Sequence, residues 1–402
     1  MTPRPARLLD ISRLLSRAGR GLTGVDRVEL AYLDALIADP VPLYGLARTA
    51  LGFVLVDQAA LKDLRPFLAG ERPWGAPKGL ARLARKLSKE RQGAESAIRQ
   101  AAAARALPAR LGAMLKRELP EGTAYLNVGH SNLSRKVLGG VKAIPGARIT
   151  VLIHDMIPLD FPQFQRDGTV EVFRQKMTVA MDHADHLIFN SQDTARRVRH
   201  HFGDAPPGTV AHLGCEDEKL RAALTRPKPP VKRPYFVALG TIEPRKNHGF
   251  LLDLWDQMEG DERPDLRIIG ARGWKNEAVF QRLDSLAQNA RISELQGLQD
   301  AEVFDQIRGA AGLLMPSLAE GYGLPLLEAA ALGTPILAND LPVYREFLEN
   351  IPVYASVNDR YLWLRTIKRM TAEHEANTHR QTLPEIGLPD WETHFNRVLK
   401  VT

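Results

Sequence analysis

The sequence predicts an α/β protein made of two Rossmann-like domains, each a parallel sheet flanked by helices, with a cleft between them. Three observations carry this. Short apolar runs alternate with helical patterns along nearly the whole chain, the order that parallel sheets with helical crossovers require. Several runs are apolar without alternation, as when both faces of a strand are covered. Finally, TRPKPPVKRP at 225–234 holds four prolines and four basic residues; proline fixes φ and disfavours helix in the residue before it, so this reads as an extended linker.

In order, the expected strands of the first half are RLLDI (7–11), FVLV (53–56), AYLNV (124–128), RITVLIH (148–154) and HLIFN (186–190). Those of the second half are YFVALG (235–240), LRIIG (266–270), GLLMP (312–316) and PILAN (335–339). Helices are expected at 25–37, 249–258, 276–288 and 301–308. The boundaries that follow are an N-terminal domain at 1–224, the linker at 225–234 and a C-terminal domain at 235–402, whose last helix is expected to return to the first domain. The Ala/Arg/Lys-rich stretch 72–118 reads as a helical insertion in the N-terminal domain.

At 402 residues the chain exceeds what one core usually serves. A hydrophobic fraction of 44% and a charged fraction of 25% exclude a disordered chain. No apolar run is long enough to span a bilayer, the N-terminus lacks a signal-type apolar segment, and a lone cysteine, Cys215, excludes an internal disulfide. A cytoplasmic protein is the expectation.

The charge of +7 is uneven: from Lys78 to Arg117 there are eleven Lys/Arg against Glu90 and Glu95. Such a block attracts nucleic acid, anionic lipid or a phosphorylated substrate. It has no interleaved aromatics for base stacking, which argues against nucleic acid. Leu80, Leu83 and Leu87 recur at helical spacing with Arg82, Arg85, Lys86 and Lys89 around them. Either this helix lies on an anionic membrane surface, or the leucines pack on the domain and the cations are solvated.

The chemistry concentrates in SLAEGYGLPLLEAAALGTPILAND (317–340). LLMPS ends a strand and LPLLEAAALG forms a helix closed by Gly333, so AEGYG is the loop between a parallel strand's carboxyl end and a helix N-terminus. Ligands bind there in doubly wound sheets, and free N–H groups suit phosphate. Glu320 and Glu328 bracket the turn; a carboxylate is repelled by phosphate, so both are expected to meet sugar hydroxyls. The bland alternative is a glycine turn with two solvated glutamates. In EPRKN, Arg245 and Lys246 stand where the helix macrodipole disfavours cations, which asks for an anionic partner.

EGYGLPLLE is similar to the Glu-x7-Glu signature of glycosyltransferase family 4, retaining group 1 glycosyltransferases with the GT-B fold. IHDMIPLDFP (153–162), IFNSQDTARRV (188–198), VALGTIEPRKN (237–247) and LPVYREF (341–347) resemble further segments of that family, in its order. The resemblance implies retaining transfer of a hexose of mannose, rhamnose or glucose type from a UDP- or GDP-linked donor to a hydroxyl, in surface polysaccharide or glycolipid assembly. It assigns the reaction to His154, Glu320, Arg245 and Lys246, and donor binding to Thr241, Gly321, Tyr322, Gly323, Leu324 and Glu328. It places Gly21, Gly24, Asp26, Arg27 and Asp155 on a loop facing donor or acceptor. Thr241 stands where many members carry an arginine, a charge that Arg245 is in place to supply. Asn190 and Ser191 read as a helix cap.

No Asp-x-Asp occurs, so no metal and no cofactor besides the donor is expected. The acceptor is a hydroxyl compound, with a lipid-linked saccharide as one candidate. Rivals on the same fold are a nucleotide-sugar epimerase or a phosphorylase; a rival of another class is a sugar-binding protein without turnover.

Overall fold

A computed structural model describes residues 5–79, 82, 84, 86–215, 218–258, 260, 263–286, 291–376 and 387–402. Eight strands form the first sheet: β1 (Arg7–Asp10), β2 (Leu43–Thr49), β3 (Gly52–Asp57), β4 (Ala104–Ala106), β5 (Ala124–Asn127), β6 (Arg148–Ile153), β7 (His186–Phe189) and β8 (Gly208–Val210). Their spatial order is β4-β3-β2-β1-β5-β6-β7-β8. From β2 through β1 to β8 the pairing is parallel, while β3 and β4 are antiparallel additions.

The second sheet holds six strands: β9 (Tyr235–Leu239), β10 (Asp265–Ile269), β11 (Ile292–Leu295), β12 (Gly312–Met315), β13 (Ile336–Ala338) and β14 (Val353–Tyr354). It is parallel throughout, in the order β11-β10-β9-β12-β13-β14. In both sheets the order reverses once, between β1 and β5 and between β9 and β12, and a crevice opens at such a reversal outside the strands' carboxyl ends.

The pattern of apolar runs misses β2, β4, β8, β11 and β14. β2 carries Gly45, because a Cβ there would lie 2.8 Å from Leu61 of the helix packed on it. The others have two to four residues and little apolar character.

The stretch 72–118 is not a purely helical insertion. It holds the helix Lys89–Gln100, then β4, then the helix Leu111–Glu118. Ala103 N–H donates to the Leu55 carbonyl at 2.9 Å, drawing β4 onto the sheet edge. Nor does one helix run through the basic residues: Ser88 caps Lys89–Gln100 by accepting from Arg91 N–H. Leu80, Leu83 and Arg85 lie outside the described residues, while Arg82, Lys86 and Lys89 are exposed.

Among the described residues there are three apolar clusters. One lies on each domain's outer face, and the largest runs from Leu9 and Tyr32 to Val237, Leu326 and Tyr344, joining the domains. The helix Trp391–Val398 lies against N-terminal residues: His394 Nδ1 donates to the carbonyl of His212 at 3.0 Å, which leaves its Nε2 to accept from Tyr32 hydroxyl at 2.8 Å. A second crossing is made by Glu346 on the helix Pro342–Leu348. Its carboxylate accepts from the N–H groups of Gln192 (2.6 Å) and Asp193 (3.1 Å), the open end of the helix Gln192–Phe202, and from His212 Nε2 (2.8 Å). Among the described residues no helix is long and apolar enough to cross a membrane.

Candidate active site

The carboxyl ends of β9 and β12 each lead into a loop that glycine makes feasible. Gly240 adopts φ 136°, and a Cβ there would lie 2.9 Å from Lys246 Cε. Gly323, at φ 117°, starts the helix Leu324–Ala331, with Tyr344's ring where a Cβ would have to go. Between them Glu320 accepts from Lys246 Nζ at 2.5 Å and from Arg245 Nη1 at 2.8 Å, and Arg245 Nε reaches Glu243 at 2.6 Å. Burial favours a neutral Glu320, but Arg245 and Lys246 overcome it and hold the carboxyl at about 2. Burial pushes the Lys246 ammonium below its usual value, against the pull of Glu320.

Each signature glutamate meets a cation in this structure, because both are nearly buried and an unpaired buried carboxylate is costly. Glu328 receives Arg27 of the N-terminal domain, so the pair bridges the cleft. Arg245 and Lys246 are likewise balanced by Glu320 and Glu243.

Facing them, at the ends of β5 and β6, lie two histidines with ring centroids 5.1 Å apart, His130 and His154. Each gives its Nε2–H to a backbone carbonyl: His154 to Val128 at 2.6 Å, His130 to Leu152 at 2.8 Å. Burial holds His154 down at about 4, so it is neutral near pH 7 with Nδ1 as its accepting nitrogen. Asp155 accepts from Ile157 N–H at 3.0 Å; burial raises its carboxyl while Arg245 across the cleft opposes the shift. Gly321 presses on this pair, since a Cβ on it would sit 2.8 Å from His154 O and 2.9 Å from Asp155 Cβ. Asn190 Nδ2 donates to the carbonyls of both His154 (2.8 Å) and Gly321 (3.3 Å), so it ties the domains together, while Ser191 caps its helix.

The remaining expected residues divide. A Cβ on Gly24 would lie 3.5 Å from Leu324 across the cleft, and Gly21 is exposed with open space around it. Asp26 does not face an acceptor: it is fully buried, completes a capping box with Thr23 and binds Arg13 (2.6 Å) and Arg17 (3.1 Å). Tyr322 is stacked on Phe347 at 4.5 Å and donates its hydroxyl to Leu213 O. Thr241 packs against Gly273, beside the bridge between Ile242 and Arg272.

Sequence reasoning missed His130, Arg13 and Glu29. The strand-end rule that singled out His154 applies equally to GHSN after AYLNV and would have found His130. Asn132 secures that loop by donating to Asp10 (2.8 Å) and Ser12 (2.6 Å), and both His130 (φ 54°) and Asn132 (φ 57°) are left-handed. Glu29 is fully buried, and burial with neighbouring Asp10 pushes its carboxyl well up.

Two largely parallel sheets whose reversal points face one another define the GT-B fold. The lipopolysaccharide outer core galactosyltransferase WaaB, in its apo form, superposes with a TM-score of 0.58 over 99% of each chain at 13% identity. Anabaena Alr3699/HepE, in a structure described as a complex with UDP, gives 0.57 over 98% of each chain at 15% identity. Residues 222–352 match the family model "Glycosyl transferases group 1". Escherichia coli serotype-specific mannosyltransferase WbdA is 28% identical over 280 residues, 63% of this chain and 33% of that protein. Salmonella typhimurium (strain LT2) O-antigen chain mannosyltransferase RfbU is 30% identical over 142 residues, 35% of this chain and 39% of that one. The matched part of this chain spans about a third of the first relatives' length.

Proposed function

We propose that the protein transfers a hexose, of mannose, rhamnose or glucose type, from a UDP- or GDP-linked donor to a hydroxyl acceptor, with retention and without a metal. The observation that carries this is the Glu320–Arg245–Lys246 cluster at one sheet's reversal point, facing His154 at the other. O-antigen mannosyltransferases among the relatives favour mannose and a role in surface polysaccharide assembly, with a lipid-linked saccharide as acceptor at an anionic membrane surface.

A donor diphosphate docks on Arg245 and Lys246, which then share their positive charge between it and Glu320. Charge building on the diphosphate as the sugar bond breaks is what this pre-ordered pair stabilises. Asp155, the carboxylate across the cleft from Arg245, is engaged by Ile157 N–H rather than offered as a nucleophile, so the acceptor oxygen attacks from the face the diphosphate leaves. The C1–O bond to diphosphate breaks, the bond to the acceptor oxygen forms, and the acceptor proton passes to the departing phosphate oxygen. His154 accepts a hydrogen bond from a sugar hydroxyl at Nδ1; a group already neutral at pH 7, with its one proton committed to Val128, is not the proton donor.

Incubation with UDP-, GDP- and ADP-sugars, followed by NMR of the product's anomeric proton, tests the reading. An α-linked product from an α-linked donor, formed equally well in EDTA, is expected. Inversion, or loss of activity on chelation that Mn²⁺ or Mg²⁺ restores, would overturn the mechanism. Binding of the sugar nucleotide without turnover or hydrolysis would favour the sugar-binding rival.

A further inference from the structure

Cations at the two facing sheet ends almost all have carboxylates. Arg13 holds Asp26, Arg27 holds Glu328, and Arg245 and Lys246 hold Glu320. Lys176 breaks this pattern. It lies on the helix Thr169–His183, one turn beyond Phe173, whose ring sits 6.4 Å from His130. Met177 and Ala180 anchor that helix in the core. The Lys176 side chain is half-buried, and among the described residues it makes no hydrogen bond and no ion pair. Burial, and then Arg13, lower its affinity for the proton.

None of the neighbouring groups can supply the missing charge. His130 and His154 are neutral, with their Nε2–H groups tied to backbone carbonyls. Asp26 is shared by Arg13 and Arg17, and Asp10 accepts from Ser12 N–H, Tyr125 hydroxyl and Asn132. Glu29 lies behind Gly129, where burial favours its neutral form. A half-buried ammonium beside a second cation, with no counter-charge, costs free energy that a bound anion returns.

We propose that the N-terminal side of the cleft carries an anion subsite, Lys176 with Arg13 and His130 beside it, that takes a phosphoryl or carboxylate group of the acceptor. The assignment rests on the glycosyl-transfer reading above and names a feature of the acceptor. An acceptor whose reacting hydroxyl lies within one sugar of an anionic group would seat that group here, on the side of the cleft opposite the diphosphate cluster.

Calorimetry on the full chain saturated with UDP or GDP blocks the diphosphate cluster and leaves this subsite to be titrated. The probes are mannose 1-phosphate, glucuronic acid and mannose. Tighter binding of mannose 1-phosphate identifies a phosphoryl subsite, and tighter binding of glucuronic acid a carboxylate subsite; both support the proposal. In Lys176→Gln the anionic probe should bind at least about tenfold more weakly, with Lys176→Arg retaining it and nucleotide affinity unchanged in both. Equal binding of neutral mannose, or an unaltered affinity in Lys176→Gln, would overturn the subsite. Failure of UDP and GDP to bind at all would instead count against the glycosyl-transfer reading.

Discussion

Glu320 takes Lys246 on one oxygen and Arg245 on the other, so removing it does more than delete the proposed sugar contact. Lys246, itself buried, is left without its counter-charge and the seat proposed for the diphosphate loses its shape. Glu320→Ala and Lys246→Ala are each expected to lower turnover at least about 100-fold, near 2.7 kcal/mol of transition-state stabilisation; near-normal kinetics in both would remove the site from this cluster. His154 and His394 make a second prediction. Both are held at about 4 by burial, against an ordinary 6.5. Between those values the unfolded chain binds protons that the folded chain refuses. Stability therefore falls as pH drops from about 6.5 towards 4, by about 1.4 kcal/mol per pH unit for each group. Urea unfolding at pH 7.5 and pH 5 should show the loss, and His394→Gln should reduce it; a flat profile would mean that these rings are not buried neutral. At this scale the sequence was a good guide to which residues gather and a poor one to their pairing. That Glu328 meets Arg27, 301 positions away, is decided by how the domains close, and nothing local to either residue encodes it.

Elements were legible where they are long and two-sided. The expected helix at 25–37 is Gly24–Ala38 and that at 301–308 is Asp300–Gly309, because apolar periodicity and Thr23 or Gln299 capping boxes agree. The helix at 276–288 stops at Asp284, with Ser285 as its C-cap. Strands of two to four residues at sheet edges give no periodic signal, so β4, β8, β11 and β14 were invisible. Caps supplied from another domain are equally hidden. The N-terminus of Gln192–Phe202 is closed by Ser191 from within and by Glu346 from the other domain. Glu346→Ala should cost about 0.5–2 kcal/mol, the usual range for a lost cap, and raise the donor KM by loosening closure. A calorimetric scan with donor titration measures both; no change in either would show that the contact contributes nothing.

At the scale of the whole molecule, alternation of strand and helix announced two parallel sheets. What it could not announce is that the largest apolar cluster belongs to both halves, since coupling between distant segments leaves no mark on local pattern. The helix Trp391–Val398 is the furthest instance: Trp391 covers Gly214, and Phe395 sits edge-on to Tyr32 at 5.1 Å. This has a bearing on biosynthesis. On the ribosome β1 through β8 emerge long before residue 391, so the seam around Tyr32 and His212 stays uncovered while the second sheet is being made. The first sheet can pair early, but its last apolar surface is sealed only when the far end of the chain arrives. During synthesis that seam is the stretch most open to a chaperone or to a neighbouring chain.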